Sequence, residues 1–463
     1  MANGLVARNG GRAGLAVLVA ILLLGLGLRV GEAWDGRAPV YDAAAYAAIA
    51  ANLERGEGFT VGPGATQPSS NYSPGLPLLI AGLYETTGGV HERLARIVLA
   101  LIGTLAILFT HLLGRRLARV LPQAGQGRLE GALGVIGGLA GAAVVAVYPA
   151  LLEYQGMLMS EPLAATLLSG AVLGLFWAAD GVGWERWLLP GALLGATAMV
   201  RPEYLGIALL LAVVVFARDA RAIWRGSEQA DGGGDWRRGL GRAAVLLAGV
   251  ALVIAPWAIR NTVALDRTVP ISTGGGQVLF AGTYLPSDGD PERVGAEVVA
   301  RHPGLFDRAD AERLRLEQIL ARLAAQRYPD LETDQALSRM GREQLWDDLG
   351  EEPLEFAGFV AAKIGRIWGH GPRGVMREPA WEALHWALVA FGLAGLCLLA
   401  WRRRWEALVL ATVFLGITAL SALLVASPRR VLVLAPLVAA LAGVGATWLW
   451  SQVAGRREAQ SWS

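Results

Sequence analysis

The chain has one cysteine and one lysine among 463 residues, and only 17% of its side chains are charged. Cys397 has no second thiol to pair with, which excludes an intramolecular disulfide and any metal site built on cysteines. Whatever lies outside a membrane must therefore fold without covalent staples. The charged fraction is well below the roughly 25% of a soluble domain. A formal charge of +2 offers no general attraction to nucleic acid. The histidines, His91, His111, His302, His370 and His385, are scattered with no H-E-x-x-H-type pair, so they supply no metal ligand set. A divalent cation held by other groups is left open.

What the chain does have is long apolar runs: Gly14 to Leu28, Ile97 to Leu113, Leu133 to Val147, Leu163 to Ala178, Ala243 to Ile254, Leu384 to Ala400, Ala407 to Val425 and Val431 to Trp450. Most approach the roughly 20 residues a helix needs to cross the hydrocarbon core. The first follows Arg8 and Arg12 and precedes Gly31-Glu32-Ala33, a pattern reminiscent of a signal peptide. Its run is at the long end of the roughly 7 to 15 residues of a signal core and is closed by Arg29, so it reads as an uncleaved anchor.

Short cytoplasmic loops collect arginine and lysine. Arg8 and Arg12, then Arg115, Arg116, Arg119 and Arg128, then Arg218, Arg221, Arg225, Arg237, Arg238 and Arg242, and finally Arg402, Arg403 and Arg404 mark that side. The stretch from Trp187 to Phe216 is interrupted by Arg201-Pro202-Glu203, leaving two short apolar halves. Only a hairpin, with Arg201 at its outer turn, keeps the arginine-rich 218–242 loop inside. The expected architecture is an all-α polytopic membrane protein of about ten membrane helices with both termini cytoplasmic. Residues 1–256 form an N-terminal membrane module that includes the first external loop, 31–92. Residues 257–381 form a small, mainly helical extracytoplasmic domain, and 382–463 the C-terminal membrane helices. Within the external domain, ADAERLRLEQILARLAAQRY and LSRMGREQLWDDLGEEPLEFAGFVAAKIGRIW repeat apolar residues at three- and four-residue spacing. The Asp231–Asp235 linker reads as flexible.

The chemistry-bearing candidates fall on the outer side. Asp42, Tyr46, Ile49 and Leu53 share one helix face, and Asp42 fits either a helix cap or an acid–base group. Glu153 and Glu161 approach the same surface in YPALLEYQGMLMSEPLAATLL, where Ser160 can cap the next helix and Glu161 favours its positive end. Arg201 is a charge among apolar segments, and Arg260 in APWAIRN follows a membrane helix; both suit a lipid phosphate or an interfacial anchor. Lys363, Arg366 and His370 lie on one helical face near the point of re-entry, as a phosphate site or a basic interfacial belt. STGGGQVLFAGTY and Asp288-Gly289-Asp290 read as turns.

In order along the chain, YDAAAYAAIAANLERGEGF with SPGLPLLIAGLYETTG, ERLARIVLALIGTLAILFTHLLGRRL, VYPALLEYQGMLMSEPLAATLL, GALLGATAMVRPE and APWAIRN resemble the integral-membrane glycosyltransferases of family 39. That class includes the protein O-mannosyltransferases and the aminoarabinose lipid A transferase. The resemblance covers most of the membrane region. It implies a GT-C fold, a polyprenyl-phosphate-linked sugar as donor, and transfer on the outer face to a cell-envelope protein, lipid or glycan. It implies Asp42 as the acid–base or acceptor-orienting residue; Glu161 stands beside it as a second catalytic candidate, with a helix-end role as the alternative. Arg201, Arg260, Lys363 and Arg366 are then the candidate donor-phosphate ligands, and Tyr46, Tyr148 and Glu153 the candidate acceptor or sugar pocket. Three alanines follow Asp42 where the commoner motif has a second acid or bulky residues, a departure that bears on acceptor class. The competing reading is a lipid or lipid-linked sugar flippase, which also needs many helices, buried arginines and an interrupted hairpin.

Overall fold

The structure, a computed structural model, describes residues 2–36, 38–40, 42–62, 67–120, 127–224, 234–369, 371 and 374–461. Among these there is no strand. The membrane bundle and first loop comprise α1 (Ala2–Asp35), α2 (Asp42–Glu54), α3 (Gly75–Thr87), α4 (Glu92–Arg119), α5 (Gly127–Val147), α6 (Pro149–Gly156), α7 (Ser160–Ala179), α8 (Leu188–Val200), α9 (Tyr204–Trp224) and α10 (Gly234–Leu265). A polar section follows: α11 (Gly275–Thr283), α12 (Val294–Arg301), α13 (Asp310–Arg313), α14 (Leu316–Arg327), α15 (Thr333–Glu351) and α16 (Pro353–Gly369). The chain then returns through α17 (Pro379–Trp401), α18 (Trp405–Leu423), α19 (Arg429–Leu432) and α20 (Ala435–Ser461).

The protein is an all-α polytopic membrane protein. Among the described residues, six helices are long and apolar enough to cross a bilayer: α1, α4, α7, α10, α17 and α18. A seventh span arises if α5 and α6, bent by 45° at their junction, count as one. The bend has a local cause. Pro149 has no N–H to continue the ladder of α5. The buried Arg29 of α1 takes up the carbonyls left over, donating to Val145 O at 3.0 Å and Ala146 O at 3.1 Å. That arginine is satisfied by backbone, so it ties α1 to the break from which α6 departs toward the site.

At 13 residues, α8 is too short to span alone. It runs alongside α10 in the same direction: Gly191 sits so close to Leu246 that a Cβ there would collide with its carbonyl, and Gly195 abuts Val250 further on. Helix α9 runs the opposite way, its far end meeting the start of α10 through Asp219 and Arg242 at 2.7 Å. Residues 201–203 are therefore the turn of a hairpin, as the distribution of arginines requires.

The two ends of the bundle differ in chemistry. At one end Arg116 pairs with Asp180 at 2.6 Å and Glu406 at 3.4 Å, and Arg218 lies 4.6 Å over the Trp405 ring and donates to Ala179 O. These contacts gather the ends of α4, α7 and α9 with the start of α18. The opposite end carries α2, α3, the 201–203 turn and α19, and it receives the polar section. That section has its own small core, built by Phe280, Val298, Phe306, Leu320, Leu337 and Met340 among others. Of STGGGQVLFAGTY, read from the sequence as a turn, only 272–274 form one; Gly275–Thr283 is the helix α11. Gly274 adopts a left-handed φ of 92°, and the Gly276 amide donates to Asp334 at 2.9 Å. Asp288 likewise sits in a turn, paired with Arg293. His370 and most of the Asp231–Asp235 linker lie outside the described residues.

Candidate active site

Asp42 is the first residue of α2, and its carboxylate is spent on a partner far away in sequence. Arg429 Nη2 donates to Asp42 Oδ2 at 3.0 Å, across 387 residues. The same guanidinium donates through Nε to Glu161 Oε1 at 2.7 Å. Arg201 Nη1 reaches that same Glu161 oxygen at 3.1 Å, while its other nitrogens hold Glu203 at 2.8 and 2.9 Å. Arg430, beside Arg429, lies 3.8 Å from Glu203 and donates to Val425 O at 2.9 Å. A chain of alternating charges thus runs Asp42, Arg429, Glu161, Arg201, Glu203, Arg430.

Burial grades this chain from wet to dry. The Asp42 side chain is 41% exposed and Arg429 30%, whereas Glu161 is fully buried. A buried carboxylate is tolerated only when paired and hydrogen-bonded, and Glu161 holds two arginines through one oxygen. Its other oxygen, Oε2, is buried with no hydrogen-bond partner among the described residues. Glu161 is in the first turn of α7, but it serves the ion network, and Ser160 is the first helical residue rather than the cap, which falls at Met159 without a side-chain bond. The expected Ser160 cap is thus corrected, whereas Glu161 does stand at the positive end of α7 as expected and is held there by its arginines. Ser160 instead hydrogen-bonds Tyr46, whose phenol pKa is raised by burial and further by the charges of Asp42 and Glu161. Tyr154 of α6 lies beneath the Arg429 guanidinium, 5.8 Å from ring centroid to Cζ. Half-buried Glu153 precedes it on the same helix.

Asp42, Glu161, Arg201 and Tyr46 therefore come together, but other candidates do not join them directly. Arg260 is committed to the first loop: it donates to Ser69 O at 3.1 Å and packs against the Trp257 and Phe59 rings at 4.8 and 5.6 Å. Tyr148 instead meets His385, its hydroxyl 3.4 Å from Nδ1. Lys363 is fully buried, donating to Gly282 O at 2.5 Å with the Phe359 ring 4.9 Å away. Burial, with Arg430 and Arg366 adding, pushes its ammonium down to about 7. Arg366 keeps a buried Nη1 with no hydrogen-bond partner among the described residues. Lys363 and Arg366 thus back the Arg430 end of the cluster.

The residues that sequence reasoning overlooked are Arg429 and Arg430, and with them Tyr154. The signal was present in Ser427-Pro428-Arg429-Arg430, a pair of arginines between two apolar runs. They lie at the end of the bundle opposite the arginine-rich loops, where charge placement alone gives them no reason to be. Among the described residues, no three His, Cys, Asp or Glu side chains gather to hold a metal ion. Asp42 and Glu161 are bridged by the Arg429 guanidinium.

A small apolar cavity of about 30 Å³ lies next to this cluster. It is lined by Val144, Tyr148, Trp368, Leu388, Val431 and Leu432 among others, the last two directly following Arg429 and Arg430. His385 closes its polar edge by bridging the Tyr148 hydroxyl and, at 2.8 Å, the Trp368 carbonyl.

Neither family models nor curated protein sequences match the chain. Solved structures do. The oligosaccharyltransferase AglB from Archaeoglobus fulgidus, in complex with an inhibitory peptide and a dolichol-phosphate, aligns over 97% of this chain with a TM-score of 0.55 and 17% identity. Its apo form aligns over 96% with the same score. The chain has the GT-C fold. It spans about half the length of these oligosaccharyltransferases, 52% of each. ArnT from Cupriavidus metallidurans bound to undecaprenyl phosphate also aligns, over 97% of this chain and 78% of that one, with 15% identity and a TM-score of 0.35. In the GT-C fold of this chain, then, the first loop, the α8–α9 turn and the short α19 converge on one ionic cluster.

Proposed function

We propose that this protein is a membrane glycosyltransferase that moves a sugar from a polyprenyl-phosphate carrier to a cell-envelope acceptor. The observation that carries this reading is Arg429, one guanidinium holding both Asp42 and Glu161 at the end of an apolar helical bundle. A lipid phosphate needs cations at its head and an apolar path for its chain. Arg430 and Arg366 have donors not fully engaged, and Arg429 has planar donors suited to sharing with phosphate. Lys363 lies behind them and adds to the positive potential when protonated.

Asp42, the most exposed member, takes the proton of the acceptor hydroxyl or amine as that atom attacks the anomeric carbon. The bond from that carbon to the phosphate oxygen breaks, and its electron pair leaves with the carrier phosphate, whose charge the arginines stabilise. Attack opposite the leaving phosphate inverts the anomeric centre. Glu161 holds Arg201 and Arg429 in place. The end of the bundle opposite the arginine-rich short loops, which carries this site, is the outer face under the positive-inside rule, leaving both termini cytoplasmic.

Purified protein in liposomes, supplied with a panel of polyprenyl-phosphate sugars labelled in the sugar, is expected to consume at least one donor and release unglycosylated carrier phosphate. Movement of intact labelled lipid between leaflets with no donor cleaved would replace this reading with that of a flippase.

A further inference from the structure

The loop carrying Tyr72 is fastened with unusual care for an external segment. Arg260 donates to Ser69 O, the Thr273 amide donates to Ser70 O at 2.8 Å, and Thr273 Oγ1 donates to Asn71 Oδ1 at 2.7 Å. These bonds tie it to the strap between α10 and α11. They also explain why Arg260 is drawn away from the ionic cluster.

Tyr72, next in the chain, is half-buried. Its ring meets that of Tyr46 edge-on, with centroids 5.9 Å apart and planes at 84°. Tyr46 stands one turn after Asp42 on α2, so this geometry puts the Tyr72 ring beside the exposed carboxylate. On its other side is the first turn of α14: the phenol feels the charges of Asp42, Glu317 and Arg315 together. Tyr72 therefore stands near both the Asp42 carboxylate and the start of α14.

We propose that Tyr72 is an acceptor-positioning residue, its ring receiving the C–H face of a saccharide whose hydroxyl is presented to Asp42. The proposal rests on the transferase reading above and deepens it by naming the acceptor class. An aromatic face held rigidly from behind suits the flat apolar side of a sugar ring. Flanking groups of both signs, Asp42, Arg315 and Glu317, suit a neutral polyhydroxylated partner better than a strongly charged one. The reaction is the one already given: the saccharide oxygen bonds to the anomeric carbon, its proton goes to Asp42, and the carrier phosphate leaves with the bonding pair.

The test uses the full-length protein in liposomes with a donor it cleaves, and offers n-octyl glycosides of hexoses and N-acetylhexosamines beside a serine- and threonine-containing peptide as acceptors. Tyr72→Ala is expected to raise the KM for a glycoside about tenfold, the worth of one aromatic contact, while the KM for the donor stays nearly constant. Tyr72→Phe, which keeps the ring, restores most of that loss; a role confined to loop stability would shift both KM values and the melting temperature together. Equal glycoside KM in wild type and Tyr72→Ala, or transfer to the peptide alone, would overturn the proposal while leaving the transferase reading intact. Failure of the wild type to cleave any donor would instead remove that reading, and this inference with it.

Discussion

Replacing Arg429 with alanine is expected to lower kcat for sugar transfer by about a hundredfold to a thousandfold, the usual cost of removing a donor aimed at developing charge. The effect is large because one side chain performs two tasks. Arg429 fixes the Asp42 carboxylate at 3.0 Å, and in the proposed reaction it also neutralises the leaving phosphate. Arg429→Lys is expected to recover only a small part of the activity. An ammonium is a point charge and cannot span Asp42 and Glu161 with separate donors. Steady-state kinetics with the donor varied separates the tasks: loss confined to KM would assign Arg429 to ground-state binding alone.

The second large effect is on stability. Glu161 is fully buried and accepts from both Arg201 and Arg429. Changing it to glutamine keeps the shape and one acceptor oxygen but removes the charge that both arginines face. Breaking a buried ion pair from one side typically costs about 3 to 5 kcal/mol, because the remaining charges stay desolvated. Arg201 retains Glu203 and Arg429 retains Asp42, so the lower end of that range is expected. Thermal unfolding in detergent reads it directly. An unchanged melting temperature would mean that the network holds no net stability.

The sequence made the fold class legible because apolar runs and arginine placement act through the membrane, a field that does not depend on tertiary detail. The hairpin at Arg201 followed from the same rule, and the structure shows α8 and α9 running in opposite directions along α10. Asp42, Glu161, Arg201 and Tyr46 were legible as polar groups on one outer surface. Their roles as cap or site were not, since a carboxylate at a helix start reads the same in either case until its distant partner is known.

Arg429 is that partner, and 268 residues separate it from Glu161. No periodicity or spacing connects positions so remote. Arg260 illustrates the converse: its type and place matched a phosphate ligand, yet nearby backbone carbonyls of the first loop claim its donors. The span count divides for a physical reason too. Length and composition alone license six or seven crossings among the described residues, while α8 reaches only part of the way and turns back at a charged tip.

The most direct test of the central claim is transfer of labelled sugar from a polyprenyl-phosphate donor by liposome-reconstituted wild type and Asp42→Asn, matched for folding by their melting temperatures. Loss of the base that receives the acceptor proton is expected to slow transfer by about a hundredfold to ten-thousandfold, with the donor still bound. Equal turnover by the two proteins would contradict the assignment of this ionic cluster as the catalytic centre.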